Sequence, residues 1–127
     1  MTRKLLILLF IALISIAFAQ NRAEPLRDQL ATQMNGTLIN CGWQPPDGNP
    51  IYCFELWGGV QFNKPMVDLQ VSLMNDVTFM SPWLGQSGRE LENDARGVRF
   101  HGRTYMLMLV ESNNPNHTRV IVSLIQN

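Results

Sequence analysis

Apolar residues first form one unbroken run, Leu5 to Ile14, and thereafter recur only in short periodic groups. The run follows Met1-Thr2-Arg3-Lys4 and leads through Ser15-Ile16-Ala17-Phe18-Ala19 to Gln20. A basic start, an apolar stretch well short of the roughly 20 residues a membrane span needs, and an Ala-x-Ala site predict a secretory signal peptide over 1–19. Residues 20–127 are then a single exported globular domain, without a membrane span, in the periplasm or outside the cell.

In that domain Leu26, Leu30 and Met34 recur at i, i+4 and i+8, Pro25 suits a first helical turn and Asn35-Gly36 supplies a stop. This predicts a helix over 24–34 whose narrow apolar stripe lies on a sheet. Strands follow over 37–43 and 50–57, before Gly58-Gly59 breaks the pattern. Val67, Leu69, Val71 and Leu73 alternate with Asp68, Gln70 and Ser72, which favours a strand; the competing reading is a helix over 64–74 capped by Asn63.

Val77 to Met80 reads as another strand. Ser87-Gly88-Arg89-Glu90 has capping-box form and Gly97 could end a helix, predicting a short one over 88–96. Val98–Phe100 and Arg103–Val110 are strands, joined tightly at His101-Gly102 or running on as one. Ser112–Thr118 is a turn region, and Arg119–Gln126 a final strand. The fold expected is α+β: an antiparallel sheet of about five to six strands packed by an N-terminal helix and a second short helix.

Export changes the meaning of the only two cysteines, Cys41 and Cys53, because an oxidising compartment makes an isolated pair a disulfide candidate. Placing them opposite each other centres a hairpin on Asp47, with Pro46-Asp47-Gly48 as a three-residue loop. Cys-x-x-Cys spacing, which a redox or metal pair would favour, is absent.

Charge narrows the range of functions. Ten Lys+Arg balance ten Asp+Glu in the 127 residues, and without Arg3 and Lys4 eight bases face ten acids. A mildly acidic domain is poorly suited to neutralising nucleic-acid phosphates. The densest basic segment is Arg96-Gly97-Val98-Arg99-Phe100-His101-Gly102-Arg103. On one unbroken strand Arg99, His101 and Arg103 would share a face and could hold an anion; a hairpin at His101-Gly102 would separate them.

No nucleophile, base and orienter can be argued to converge, so no catalytic residues are assigned. No metal site is assigned either, since His101 and His117 have no ligand-like spacing, and no cofactor is implied. Trp43 and Tyr52 lie near the disulfide-pinned loop and could present an aromatic contact to a partner, although core packing is the usual place for Trp43, Trp57 and Trp83. Two Asn-x-Thr sequons, at Asn35 and Asn116, would matter only on a eukaryotic secretory route.

The expected function is therefore a small exported binding module that contacts another protein or an envelope component, as an inhibitor or accessory protein. The alternatives are a small-ligand carrier with an arginine-lined anion site, and an enzyme whose residues are scattered beyond recognition.

Overall fold

In the computed structural model, residues 23–85 and 94–125 are described; the leader and most of the expected 88–96 helix lie outside them. The first element is helix α1, Pro25–Gln33. Glu24 caps its start: Oε1 accepts from the Leu26 N–H at 3.1 Å, while Asp28 Oδ2 accepts from the Glu24 N–H at 3.2 Å. At the other end Gly36 N–H returns to the Ala31 carbonyl at 2.8 Å and Asn35 N–H to Thr32 at 3.3 Å, a Schellman stop with Asn35 at φ 54°. Space, not backbone conformation, keeps Gly36 a glycine, since a Cβ there would lie 2.8 Å from the Phe54 ring.

Strands β1 (Thr37–Ile39) and β2 (Ile51–Trp57) follow, then helix α2 (Val60–Ser72). β3 (Val77–Phe79), β4 (Leu84–Gly85), β5 (Asp94–Phe100), β6 (Arg103–Glu111) and β7 (His117–Ile125) complete the order. The strands join in one antiparallel sheet, β1-β2-β7-β6-β5-β3, with β4 also paired to β5. The class is α+β, and both helices pack on the sheet.

Strand pairing puts Tyr52, Phe54, Leu56, Val98, Phe100, Tyr105, Leu107, Leu109, Val120 and Val122 into one buried cluster under the helices. Leu26 and Leu30 from α1 and Val60, Val67 and Val71 from α2 close it from above. Alternation along the same strands aims a second set at the opposite face, where Cys41, Cys53 and Ile121 form a smaller buried group flanked by Ile39, Ile51, Met108 and Val110. Tyr105–Val110 thus serves two apolar clusters, which explains its lack of alternation.

The expected helix positions need correction. The second helix is Val60–Ser72, where a strand was favoured, and residues 94–96 are strand instead of the end of a helix. The alternation from Val67 to Leu73 misleads because α2 carries apolar residues on two sides: Val67 and Val71 are buried, while Leu69 and Leu73 are exposed. Asn63 does not cap the helix. Gly59 is the cap, and buried Asn63 places Nδ2 3.1–3.2 Å from the Trp57, Gly58 and Gly59 carbonyls and the Thr118 hydroxyl. One amide thereby ties the β2–α2 junction to β7, and such a buried donor is stable only when satisfied.

Candidate functional site

The disulfide is present, with Cys41 and Cys53 Cα atoms 5.3 Å apart, but it sits diagonally. Ile39 is the residue opposite Cys53, and β1 ends there, so Cys41 lies two residues beyond its expected register. The ladder is not continued into a three-residue loop. Residues 40–50 instead form a long loop with turns of its own. Asn40 Oδ1 accepts from the Gly42 N–H at 2.9 Å, and Gly48 N–H returns to the Pro45 carbonyl at 3.1 Å with Gly48 at φ 77°. The Pro46-Asp47-Gly48 turn chemistry holds locally, while the long-range register does not follow from it.

The loop borders the second sheet face and leaves a cavity of about 240 Å³ beside it. Trp43 and Pro45 from the loop, Met106 and Met108 from β6, and Ile121 and Ile125 from β7 line it, with Asp47, Asn49 and Ser123 adding polar groups. Trp43 is 47% exposed, so an aromatic ring lines a largely apolar hollow and still meets water. Met side chains suit such a site because they repack at low cost. Arg119 anchors the start of the loop by donating to the Cys41 carbonyl at 3.2 Å.

The other residues singled out from sequence fall elsewhere. Tyr52 is 2% exposed and lies on the helix side of the sheet, with the Arg27 guanidinium 5.6 Å from its ring centre, so it presents no outward contact. His101-Gly102 is a tight hairpin turn, with φ of 49° and 77°, and Phe100 pairs with Arg103 across it. Arg103 therefore shares the face of Phe100 and Tyr105, whereas Arg99, paired with Thr104, is on the opposite face. His101 stacks on Phe100 at 4.0 Å. His101 and Arg103, but not Arg99, border a hollow of about 280 Å³ with Pro25, Phe100 and Tyr105.

One cluster superficially resembles hydrolytic chemistry. Ser112 donates to Glu55 Oε2 at 2.6 Å and Asn114 Nδ2 to Oε1 at 3.0 Å, and these bonds, the Ser112 bond above all, hold the Glu55 carboxyl below its usual range. His117 does not complete a relay: its Nδ1 is 2.8 Å from the Pro115 carbonyl. The arrangement knots the β6–β7 turn to β2. Among the described residues no three His, Cys, Asp or Glu side chains converge as metal ligands, and no helix is long and apolar enough to cross a membrane.

A second exposed apolar surface escaped the sequence reading. Trp57 packs edge-on against Phe62, ring centres 6.3 Å apart, and Phe62, Met66, Leu69 and Leu73 continue along the outer side of α2. These five side chains are between 38% and 71% exposed. A hollow of about 360 Å³ runs beside them, between α2 and the end of α1, over Leu56 and Met34. The 4-3-4 spacing of the four helical residues was the available signal, hidden by the favoured strand reading.

No family model matches this chain, and no curated protein or solved structure is significantly similar to it.

Proposed function

We propose that the protein is a small exported binding module that contacts another protein or an envelope component through the face bearing the disulfide loop. One observation carries this reading: the loop tied by Cys41–Cys53 leaves Trp43 half exposed beside a largely apolar cavity built on rigid strands. A pinned aromatic next to a hydrophobic recess is the arrangement in which a few residues supply most of a binding energy. The leader pattern and the disulfide both suit an oxidising compartment outside the cytoplasm. The expected occupant of the cavity is an apolar side chain of the partner.

A small-ligand carrier is the second reading, and it rests on the hollow that brings His101 and Arg103 together. Retention assays with immobilised protein and envelope extract separate the two. Binding-module function predicts a macromolecule retained by the native protein and lost from Trp43→Ala at unchanged melting temperature. A melting temperature raised by a small acidic ligand, with no macromolecule retained, would replace it with the carrier.

A further inference from the structure

We infer that the protein pairs with a second copy of itself, α2 against α2, about a two-fold axis between Met66 and Leu69. A helix face meant for water carries charge, yet the outer stripe of α2 is Phe62, Met66, Leu69 and Leu73, and the adjoining positions Pro65, Gln70 and Ser72 are uncharged. The helix has two charged residues, and both serve the other side. Asp68 accepts from Arg96 at 2.7 Å and from the Trp83 indole at 2.8 Å, and Lys64 lies 5.8 Å from the Trp83 ring centre.

Spacing makes the stripe self-complementary. Intervals of four, three and four residues form a heptad-type seam about 17 Å long, the pattern by which helices pack on helices. In an antiparallel pair Phe62 of one copy meets Leu73 of the other, and Met66 meets Leu69, with no charge brought against like charge. This is the isologous geometry that closes as a dimer and cannot propagate.

Area decides between ornament and interface. With large side chains presenting about 150–250 Å² each when bare, Trp57 and the stripe leave on the order of 500 Å² of contiguous apolar surface in water, near the upper limit for a monomer. A stable interface needs about 800 Å² per partner, and at the roughly 65% apolar share of homodimer interfaces an apolar patch on the order of 500 Å² corresponds to that size, the remainder being polar rim. Pairing on the helix side leaves both disulfide loops facing outward, so a dimer would offer two copies of the Trp43 cavity and gain avidity for a repeated partner.

The test is sedimentation velocity on the protein purified without reductant, over a concentration series. The native protein should shift from monomer to dimer as concentration rises. Leu69→Glu, entering the interface twice by symmetry, should weaken association on the order of 100-fold while leaving the melting temperature of the dilute protein unchanged. Adding Met66→Lys to Leu69→Glu should restore pairing, because the antiparallel register sets the two positions of different copies against each other; a parallel register would not. A native protein that stays monomeric to about 1 mM overturns the inference. A dimer insensitive to Leu69→Glu does so too, as does a monomer that engages a different macromolecule through Phe62 and Leu73. Because Trp43 is on the opposite sheet face, loss of partner binding by Trp43→Ala and loss of pairing by Leu69→Glu are independent results.

Discussion

Tyr105 donates its hydroxyl to Glu24 Oε1 at 2.8 Å, joining the middle of the sheet to the residue that caps the first helix. The same Oε1 accepts from the Leu26 N–H, and both Tyr105 and Glu24 are buried. A bond between residues 81 positions apart thus ties the start of α1 to the sheet, beside the packing of Leu26 and Leu30. Tyr105→Phe should lower unfolding stability by about 2 kcal/mol, the usual effect of stripping a buried carboxyl oxygen of a partner. Urea titration at pH 7 measures it.

Alkali should act through the same pair. Burial, and after it the bond to Glu24, pushes the Tyr105 hydroxyl up to about 12 from an ordinary 10.0. Between those values the unfolded chain releases a proton that the folded chain keeps, so the stabilisation is complete below about pH 10 and is lost as pH rises towards 12. Denaturant midpoints should lose this contribution only above about pH 10, and Tyr105→Phe should flatten the fall between about pH 10 and 11.

Acid should act through Glu55. Its carboxyl is held below the usual range, first by the Ser112 hydroxyl and then by Asn114. That contribution is present above the unfolded carboxyl value and disappears as pH falls through the lower folded value. Ser112→Ala should move the Glu55 titration back up, observable in its side-chain carbonyl carbon resonance, and should loosen the β6–β7 turn.

The Cys41–Cys53 bond closes a loop across a separation of 12 residues. Replacing both cysteines by Ser should destabilise the protein by about 3 kcal/mol in the loop-entropy description. It should also let the loop leave the sheet, shifting the emission of Trp43 towards that of free indole. Thiol counting on the unreduced protein should find no free thiol.

Asp68→Ala should release the 80–84 segment from α2. Trp83 loses the acceptor of its indole N–H and Arg96 loses its ionic partner, while Arg96 keeps its bond to the Ser81 carbonyl at 2.8 Å and its guanidinium's place 3.6 Å over the Phe79 ring. Because both ionic partners are partly exposed, the expected loss is about 1–2 kcal/mol, with faster amide exchange confined to 77–84.

Local chemistry was legible wherever a few neighbouring residues decide the outcome. Pro25 and Asn35-Gly36 bracket a real helix, His101-Gly102 turns a real hairpin as one of the two readings allowed, and Pro46-Asp47-Gly48 makes its turn. The α+β class followed because alternation and 3.6-residue periodicity report which side of each element meets the core.

Residue order alone could not decide what depends on partners distant along the chain. The strand-like alternation of 67–73 belongs to a helix, because Val67 and Val71 face the sheet while Leu69 and Leu73 face out, and a period of two cannot separate one buried face from two apolar ones. The disulfide was foreseeable from the cysteine count and the leader, but its diagonal placement depends on β2 pairing with both β1 and β7, which sets the register from the sheet and not from the loop. The exposure of Trp43 and Trp57 and the burial of Tyr52 have the same origin. An aromatic residue is apolar in any sequence, and only the packing of other elements decides whether it fills a core or is left in water for another molecule to cover.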